Sequence, residues 1–513
     1  MTFDPHDLAH RFARLPRAKQ GVFLDSLRQQ GLDFARLPIV PAPRDGDAAL
    51  PLSSAQLRQW FLWQLAPHDS AYHIAGALRL RGTLAPDAVR AGFDAVLARH
   101  EALRTVFRPG ADGGVVQQVC PPTPLDLPLI DLAAFDPARR EDEARAAAER
   151  FVAVPFDLGQ GPLLRVALIR LAPDDHLLAV VMHHIVSDGW SMQVLVEELV
   201  AHYQARVEGR AAETPPLPIQ YADYALWQRD WLAAGEQARQ LAYWREQLSD
   251  PQSGGGPSVL QLPADHPRRA DGRYRNAELA LTLPAELVGA VQRRVQAEGA
   301  TLFMALLAAF QVLLHRHTGQ HDLRIGVPIA NRQRVETEGV IGFFVNTQVL
   351  RGIVHGRSTL GQVLAQARQA ALGAQAHQDL PFEQLVEALQ PQRSLGSTPL
   401  FQVMFNHQRG DLRALARLPG LQVAPYPLAP QAAQFELTLN SHEHPDGRVE
   451  LLFQYAAELF EPRTVAAWAR HLQAVLRALA DAPDSTVGDL PLLDAADHDT
   501  LARWGVAPPP PGG

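Results

Sequence analysis

Beyond Leu52 the apolar positions switch repeatedly between a period of two and a period of 3.6, so the chain is read as alternating strands and helices. Tyr72–Arg81 alternates as a strand does, and Asp87–Arg99 places Val89, Phe93, Val96 and Leu97 on one face of a helix. Leu163–Leu171 and Leu177–His184 flank Ala172-Pro173-Asp174-Asp175, whose proline and aspartates suit a turn. The two runs predict a β-hairpin whose second strand delivers His183 and His184 to its end. A helix is expected from about Ser191 to Val207, with Ser191 capping its free N–H groups.

The second half opens in the same way. Strand Ala277–Leu283 precedes helix Pro284–Glu298 and the almost wholly apolar helix Thr301–His317, which must be buried on several sides; strand Leu323–Ile329 follows. Strand then helix thus begins both Tyr72–Arg99 and Ala277–His317, the order that two related lobes would show. Later, Phe435–Ser441 and Arg448–Tyr455 bracket Pro445-Asp446-Gly447, a hairpin signal, and Pro462–Ala480 is an amphipathic helix.

A chain of 513 residues suits two cores of roughly 150–250 residues each. The proline-rich Ala211–Pro218 and the glycines Gly254-Gly255-Gly256 bound the region where the first lobe ends, giving lobes over 47–215 and 216–487. Residues 1–46, with helices at Asp7–Leu15 and Ala18–Gln30 before Pro38, Pro41 and Pro43, read as an arm that packs on the body or meets an upstream protein. Residues 488–513 end in Pro508–Pro511, Gly512 and Gly513 and read as a linker.

Composition narrows the function. The net charge of −8, without blocks of like charge, argues against a nucleic-acid partner, since phosphate binding needs clustered positive charge. Lys19 is the only lysine, which disfavours Schiff-base chemistry, and the single cysteine, Cys120, excludes an internal disulfide and a thiolate-rich metal site. Met1–Arg14 lacks the apolar core of a signal peptide, and Thr301–Leu314 is shorter than the roughly 20 residues of a membrane span. A soluble cytoplasmic protein without membrane contact is expected.

Chemistry gathers where the hairpin ends. Adjacent histidines on a strand point to opposite faces, so one of His183 and His184 can enter the core and the other a cleft. An imidazole with an ordinary pKa near 6.5 exchanges protons at neutral pH, while Asp188 is suited to hold the loop through a buried ion pair. Gly189 allows unusual backbone angles and leaves room for a substrate to pass, with Trp190 and Ser191 fixing the helix start. From the residues alone, catalytic, metal-binding and structural roles all remain open, metal binding being the weaker for want of a third ligand at a suitable spacing.

The segment His183-His184-Ile185-Val186-Ser187-Asp188-Gly189 resembles the H-H-x-x-x-D-G signature of nonribosomal peptide synthetase condensation domains, shared with chloramphenicol acetyltransferase and other acyltransferases. Six further segments match that family in order. They are Leu52–Trp60, Arg99–Phe107, Tyr221–Gln228, Ile341–Thr347, His377–Leu385 and Pro399–Phe405, so the resemblance covers about residues 48–500.

The resemblance implies an α/β fold of two acetyltransferase-like lobes forming a V, with a tunnel between them. Carrier-protein phosphopantetheine arms would enter it from opposite faces, with no cofactor bound by the domain and an adenylation domain adjacent. It implies that His184 accepts a proton from the acceptor amine or orients it, and that the Gly189 N–H holds the thioester carbonyl. Asp188 would pair with Arg332, or failing that Arg58, with His183 structural; Trp190, Ser191 and Asn346 would line the tunnel. Other family branches fit less well. An epimerization domain tends to carry V-D-x-x-S-W where Ser187-Asp188-Gly189-Trp190 stands, and the additional histidine motif of dual-function domains is absent from Met1–Ser70. The motif style is closer to domains taking an L-configured donor; a fatty-acyl starter domain, an ester-forming variant and a noncatalytic recruitment platform are the alternatives. With no adenylation or carrier motif after Pro511, and with Val487–Trp504 resembling the linker toward an adenylation domain, the chain is expected to be an excised domain.

Overall fold

The computed structural model describes residues 4–42, 50–110, 113–249, 259–269, 272, 274–389, 400–408, 412–428 and 432–505. The expected central hairpin forms from antiparallel strands Leu164–Ala172 and Asp175–His183. On the other side of Asp175–His183 lies His73–Gly82, in a register that sets His73 opposite His183. Leu129–Asp131 and Leu421–Tyr426 complete a five-stranded sheet at its two edges. Helix Pro86–Arg99 buries Val89, Phe93, Val96 and Leu97 as their spacing requires.

A seven-stranded sheet organises the second lobe. Its order is Asn346–Ile353, Asp322–Ile329, Val403–Gln408, Leu437–Glu443, Val449–Ala456, Tyr274–Leu283 and Ala432–Ala433. Helix Leu302–Thr318 is buried along almost its whole length and is flanked by helices Ala285–Ala297, Leu360–Gln375 and Pro462–Asp481. Apolar residues on every side of this helix therefore satisfy a core rather than a bilayer. Among the described residues no single helix is long and apolar enough to cross a membrane.

The two cores do not divide the chain at one point. Ile219, Tyr221, Tyr224 and Ala225, then Val340, Ile341, Phe343 and Phe344, pack into the core of the first lobe although they follow the expected boundary at 215/216. Strand Leu421–Tyr426 goes further and pairs along the edge of the first lobe's sheet, from Leu421 opposite Gly82 to Tyr426 opposite Ala77. Gly82 takes φ +124°, and a Cβ there would lie 2.1 Å from the Gly420 carbonyl oxygen, so only glycine permits this approach.

Both ends pack on the body. Helices Pro5–Arg14 and Arg17–Gln29 bury Leu8, Ala9, Phe12, Leu24 and Leu27 with Phe34 and Leu37 against Trp231. The stretch expected to be linker from residue 488 is attached as far as Asp497: Leu490 and Leu492 join the second core, and Arg316 donates to the carbonyls of Val487, Gly488 and Leu490. Arg470 pairs with Asp494 at 2.6 Å and with Asp497 at 2.7 Å. Pro43, Gly254-Gly255-Gly256 and Pro508–Gly513 lie outside the described residues.

Phe12, with its ring centroid 4.6 Å from that of Phe34, should hold the arm in place. Phe12→Ala is expected to weaken this packing by about 3–5 kcal/mol. Limited proteolysis should then cut before residue 42, with the main melting transition unchanged.

Candidate active site

The strand Asp175–His183 ends where His184 N–H donates to the Tyr72 carbonyl at 2.9 Å, and a 3-10 turn over His184–Val186 follows. This change of backbone separates the two histidines. His183 is buried beside Phe156 and His73, and its Nδ1 accepts from the Ile185 N–H at 3.1 Å. Burial, reinforced by the neighbouring His73 and His184, pushes its pKa down to about 3, so His183 is a neutral structural acceptor.

His184 lines a chamber of about 540 Å3 between the lobes. Its Nδ1 lies 2.8 Å from the Ser187 carbonyl oxygen, which can only accept, so Nδ1 carries the proton and Nε2 keeps the lone pair. Nε2 has no hydrogen-bond partner among the described residues. Burial holds the imidazole below its ordinary pKa, with Arg58 adding to the depression, while the Ser187 carbonyl and Asp188 oppose it. The Phe343 ring stands edge-on to the imidazole, centroids 4.7 Å apart. At neutral pH this is an oriented, unprotonated base facing a cavity.

Asp188 is the hub of the loop behind it. Its Oδ1 accepts from Ser191 N–H at 2.8 Å, from Ser191 Oγ at 2.7 Å and from Arg332 Nη2 at 3.2 Å; its Oδ2 accepts from Phe344 N–H at 2.9 Å. The side chains of Asp188 and Arg332 are 2% and 1% exposed. Arg332 also donates to the carbonyls of Thr337 and Val340 and lies 4.0 Å from the Phe344 ring centroid. Tyr221, whose hydroxyl donates to the Phe343 carbonyl at 2.6 Å, is linked in turn to Ser53 at 2.8 Å. These hydrogen bonds thus tie the loop that follows His184 to the Phe343–Phe344 backbone.

Several expected placements change. Helix Gly189–Val207 is capped by Asp188, not by Ser191, because the carboxylate reaches the Ser191 N–H at the free end of the helix. Ser191 is fully buried and bonds Arg332 Nη2 and both backbone groups of Gly342, so it does not line the chamber. Arg58 does not reach Asp188; it pairs with Glu383 at 3.1 Å and so ties helix Ser54–Leu65 to helix Phe382–Leu389. Asn346 spends both amide groups on backbone, donating to the carbonyls of Gln378 and Leu380 and accepting from the N–H groups of Thr347 and Phe382. It is scaffold. Trp190 is 40% exposed and donates to the Glu338 carbonyl, fixing the helix start to the segment that precedes Val340. Gly189 does not use positive φ, but a Cβ built on it meets nothing within 4 Å, so it provides open space rather than an unusual turn.

Sequence reasoning missed the opposite wall of the chamber. Asn406, Asn440, Gln454 and Glu278 stand on the face of the second sheet turned away from its core. The signal was polar residues at alternate positions of strands whose intervening residues are apolar.

A histidine with a free ring nitrogen thus faces a chamber between two α/β lobes, and a buried aspartate holds its loop. The condensation-domain family model matches residues 47–502. The chain is 42% identical to a linear gramicidin synthase of Brevibacillus parabrevis over 93% of its own length and 6% of that protein. It is 40% identical to phosphinothricin tripeptide synthetase PhsC of Streptomyces viridochromogenes over 95% of its length and 44% of that protein. The chain thus spans less than half the length of either relative. Among solved structures, the X-domain from teicoplanin biosynthesis in complex with OxyB superposes with a TM-score of 0.77 at 31% identity, covering 89% of this chain and 98% of that one. The first condensation domain of the calcium-dependent antibiotic synthetase, at 24% identity and a TM-score of 0.70 over 87% of this chain and 100% of that one, shares the fold. The chain belongs to the condensation-domain family of nonribosomal peptide synthetases.

Two measurements test the site's framework. Asp188→Ala leaves the Arg332 guanidinium buried without its counter-ion and is expected to cost about 3–5 kcal/mol, seen as a lower Tm and a lower soluble yield. For His183 the folded pKa of about 3 lies below the ordinary 6.5, so its contribution is complete above pH 6.5 and is lost as pH falls toward 3. Denaturant titrations at pH 7 and pH 5 should show wild type losing about 2 kcal/mol more than His183→Asn.

Proposed function

We propose that the domain forms a peptide bond between two substrates delivered on the phosphopantetheine arms of donor and acceptor carrier proteins. The donor is an aminoacyl or peptidyl thioester, L-configured by the style of the motifs, and the acceptor is an aminoacyl thioester. Both depend on an adjacent adenylation domain and its counterparts for activation. The observation that carries this reading is the free Nε2 of His184 in the inter-lobe chamber, with its tautomer set by the Ser187 carbonyl.

The acceptor amine attacks the donor thioester carbonyl. A C–N bond forms, the C–S bond breaks, and the electron pair leaves on the donor's pantetheine sulfur. His184 Nε2 takes the proton the amine must lose and returns it to that thiolate, so the histidine ends each turnover as it began. Holding both arms in one chamber turns a bimolecular reaction into a local one, which supplies a large part of the acceleration. The Gly189 N–H, at the free N-terminal end of a 19-residue helix, offers a donor for the oxygen that gains charge during attack.

The test is a single-turnover reaction between two separately loaded carrier proteins, followed by intact mass of the acceptor. Wild type should form dipeptidyl acceptor, and His184→Ala with unchanged Tm should be about 10²–10⁴-fold slower. Gly189→Val, which fills open space, should fold normally and also lose rate. Because the His184 pKa is lowered, the acid limb of the pH–rate profile should fall below pH 6.5. Product with a fatty-acyl donor alone would make the domain a starter, and no product with any pair would point to a recruitment platform.

A further inference from the structure

The second lobe's sheet has two unlike faces. Phe405, Leu439, Phe453 and Leu279 alternate inward, while Asn406, Asn440, Gln454 and Glu278 occupy the other face and line the chamber shared with His184. The polar residues are wired across four adjacent strands. Asn406 Nδ2 donates to Asn440 Oδ1 at 3.1 Å, Asn440 Nδ2 to Gln454 Oε1 at 2.9 Å, and Gln454 Nε2 to Glu278 Oε1 at 2.8 Å. Asn276 Nδ2 reaches the same Oε1 at 3.4 Å. Each amide orients the next, and the series ends on a carboxylate.

Both of these hydrogen bonds to the carboxylate fall on Oε1, leaving Oε2 without a partner among the described residues. No arginine or lysine lines the chamber among the described residues, and Glu278 forms no ion pair with any of them. A fixed anion whose second oxygen is unused, in a cavity without its own cation, is complementary to a positively charged ligand atom. We infer that Glu278, positioned by the Asn406–Asn440–Gln454 series, is a specificity residue that binds a protonated amine of the substrate in the chamber. The amine is the acceptor's α-ammonium, which gives up one proton to solvent before it attacks, or a cationic side chain; the chemistry recognised is the same. This assignment rests on the reading that an amine-bearing substrate occupies the chamber.

Binding rather than turnover separates the two claims. The probes are pantetheine amides of alanine, N-acetylalanine and ornithine, titrated against wild type, Glu278→Gln and Glu278→Asp. Gln keeps the acceptor for Gln454 and removes the charge; Glu278 is exposed to the chamber, so Tm should be unchanged and serves as the control. Wild type should bind the ornithine amide, and with the α-ammonium as ligand also the alanine amide, about fivefold more tightly than the N-acetylalanine amide. Glu278→Gln should abolish that preference, and Glu278→Asp should recover part of it. If Glu278→Gln weakens the alanine and ornithine amides alike, the α-ammonium is the ligand; if it weakens ornithine alone, the side chain is. Unchanged binding of every probe by Glu278→Gln would overturn the assignment. A charge-dependent effect in a protein that makes no dipeptide would leave it standing and remove the peptide-bond reading instead.

Discussion

The Asp188–Arg332 ion pair is the constraint on which the loop carrying His184 depends. Both groups are out of water, and a charge moved there needs its counter-ion and further hydrogen bonds. Asp188 obtains them from the helix it caps and from the Phe344 N–H, while Arg332 obtains them from the carbonyls of Thr337 and Val340. Every one of these groups belongs either to the His184 loop or to the segment that carries Phe343 against it. The pair therefore joins the loop that carries the base to the segment whose Phe343 ring stands against the imidazole. Moving either segment would leave one of these charges incompletely compensated.

Much of this was legible in the chain. The hairpin that ends at His183, the helix faces of Val89–Leu97, and the buried helix beginning at Leu302 follow from periodicity, because each element is patterned by the layer it covers. The pairing of Asp188 with Arg332 rather than Arg58 followed only from the family resemblance. Nothing local distinguishes two arginines that lie 144 and 130 residues from the aspartate.

Other features were illegible for physical reasons. Asp188 and Ser191 are both good caps, and which one serves is decided by where the helix begins, a matter of one turn of backbone. Asn346 looked available for substrate because an exposed amide and one that braces a loop have the same sequence. The chamber's second wall was missed because residues at 278, 406, 440 and 454 become neighbours only once the strand order is known. The first lobe's extent was drawn too simply at 215, since periodicity reports that a strand exists and not which sheet accepts it.

The strand Leu421–Tyr426 has a consequence for how the chain is made. During synthesis the strand His73–Gly82 emerges early, yet its outer edge has no partner until more than three hundred further residues have followed. That closure links positions far apart along the chain, so the entropy of bringing them together must be met before the pairing repays it. The two lobes are thus separate in architecture and single in assembly. An evolutionary exchange that replaced one lobe alone would import an edge strand fitted to a different sheet, which favours inheritance of the pair as one unit.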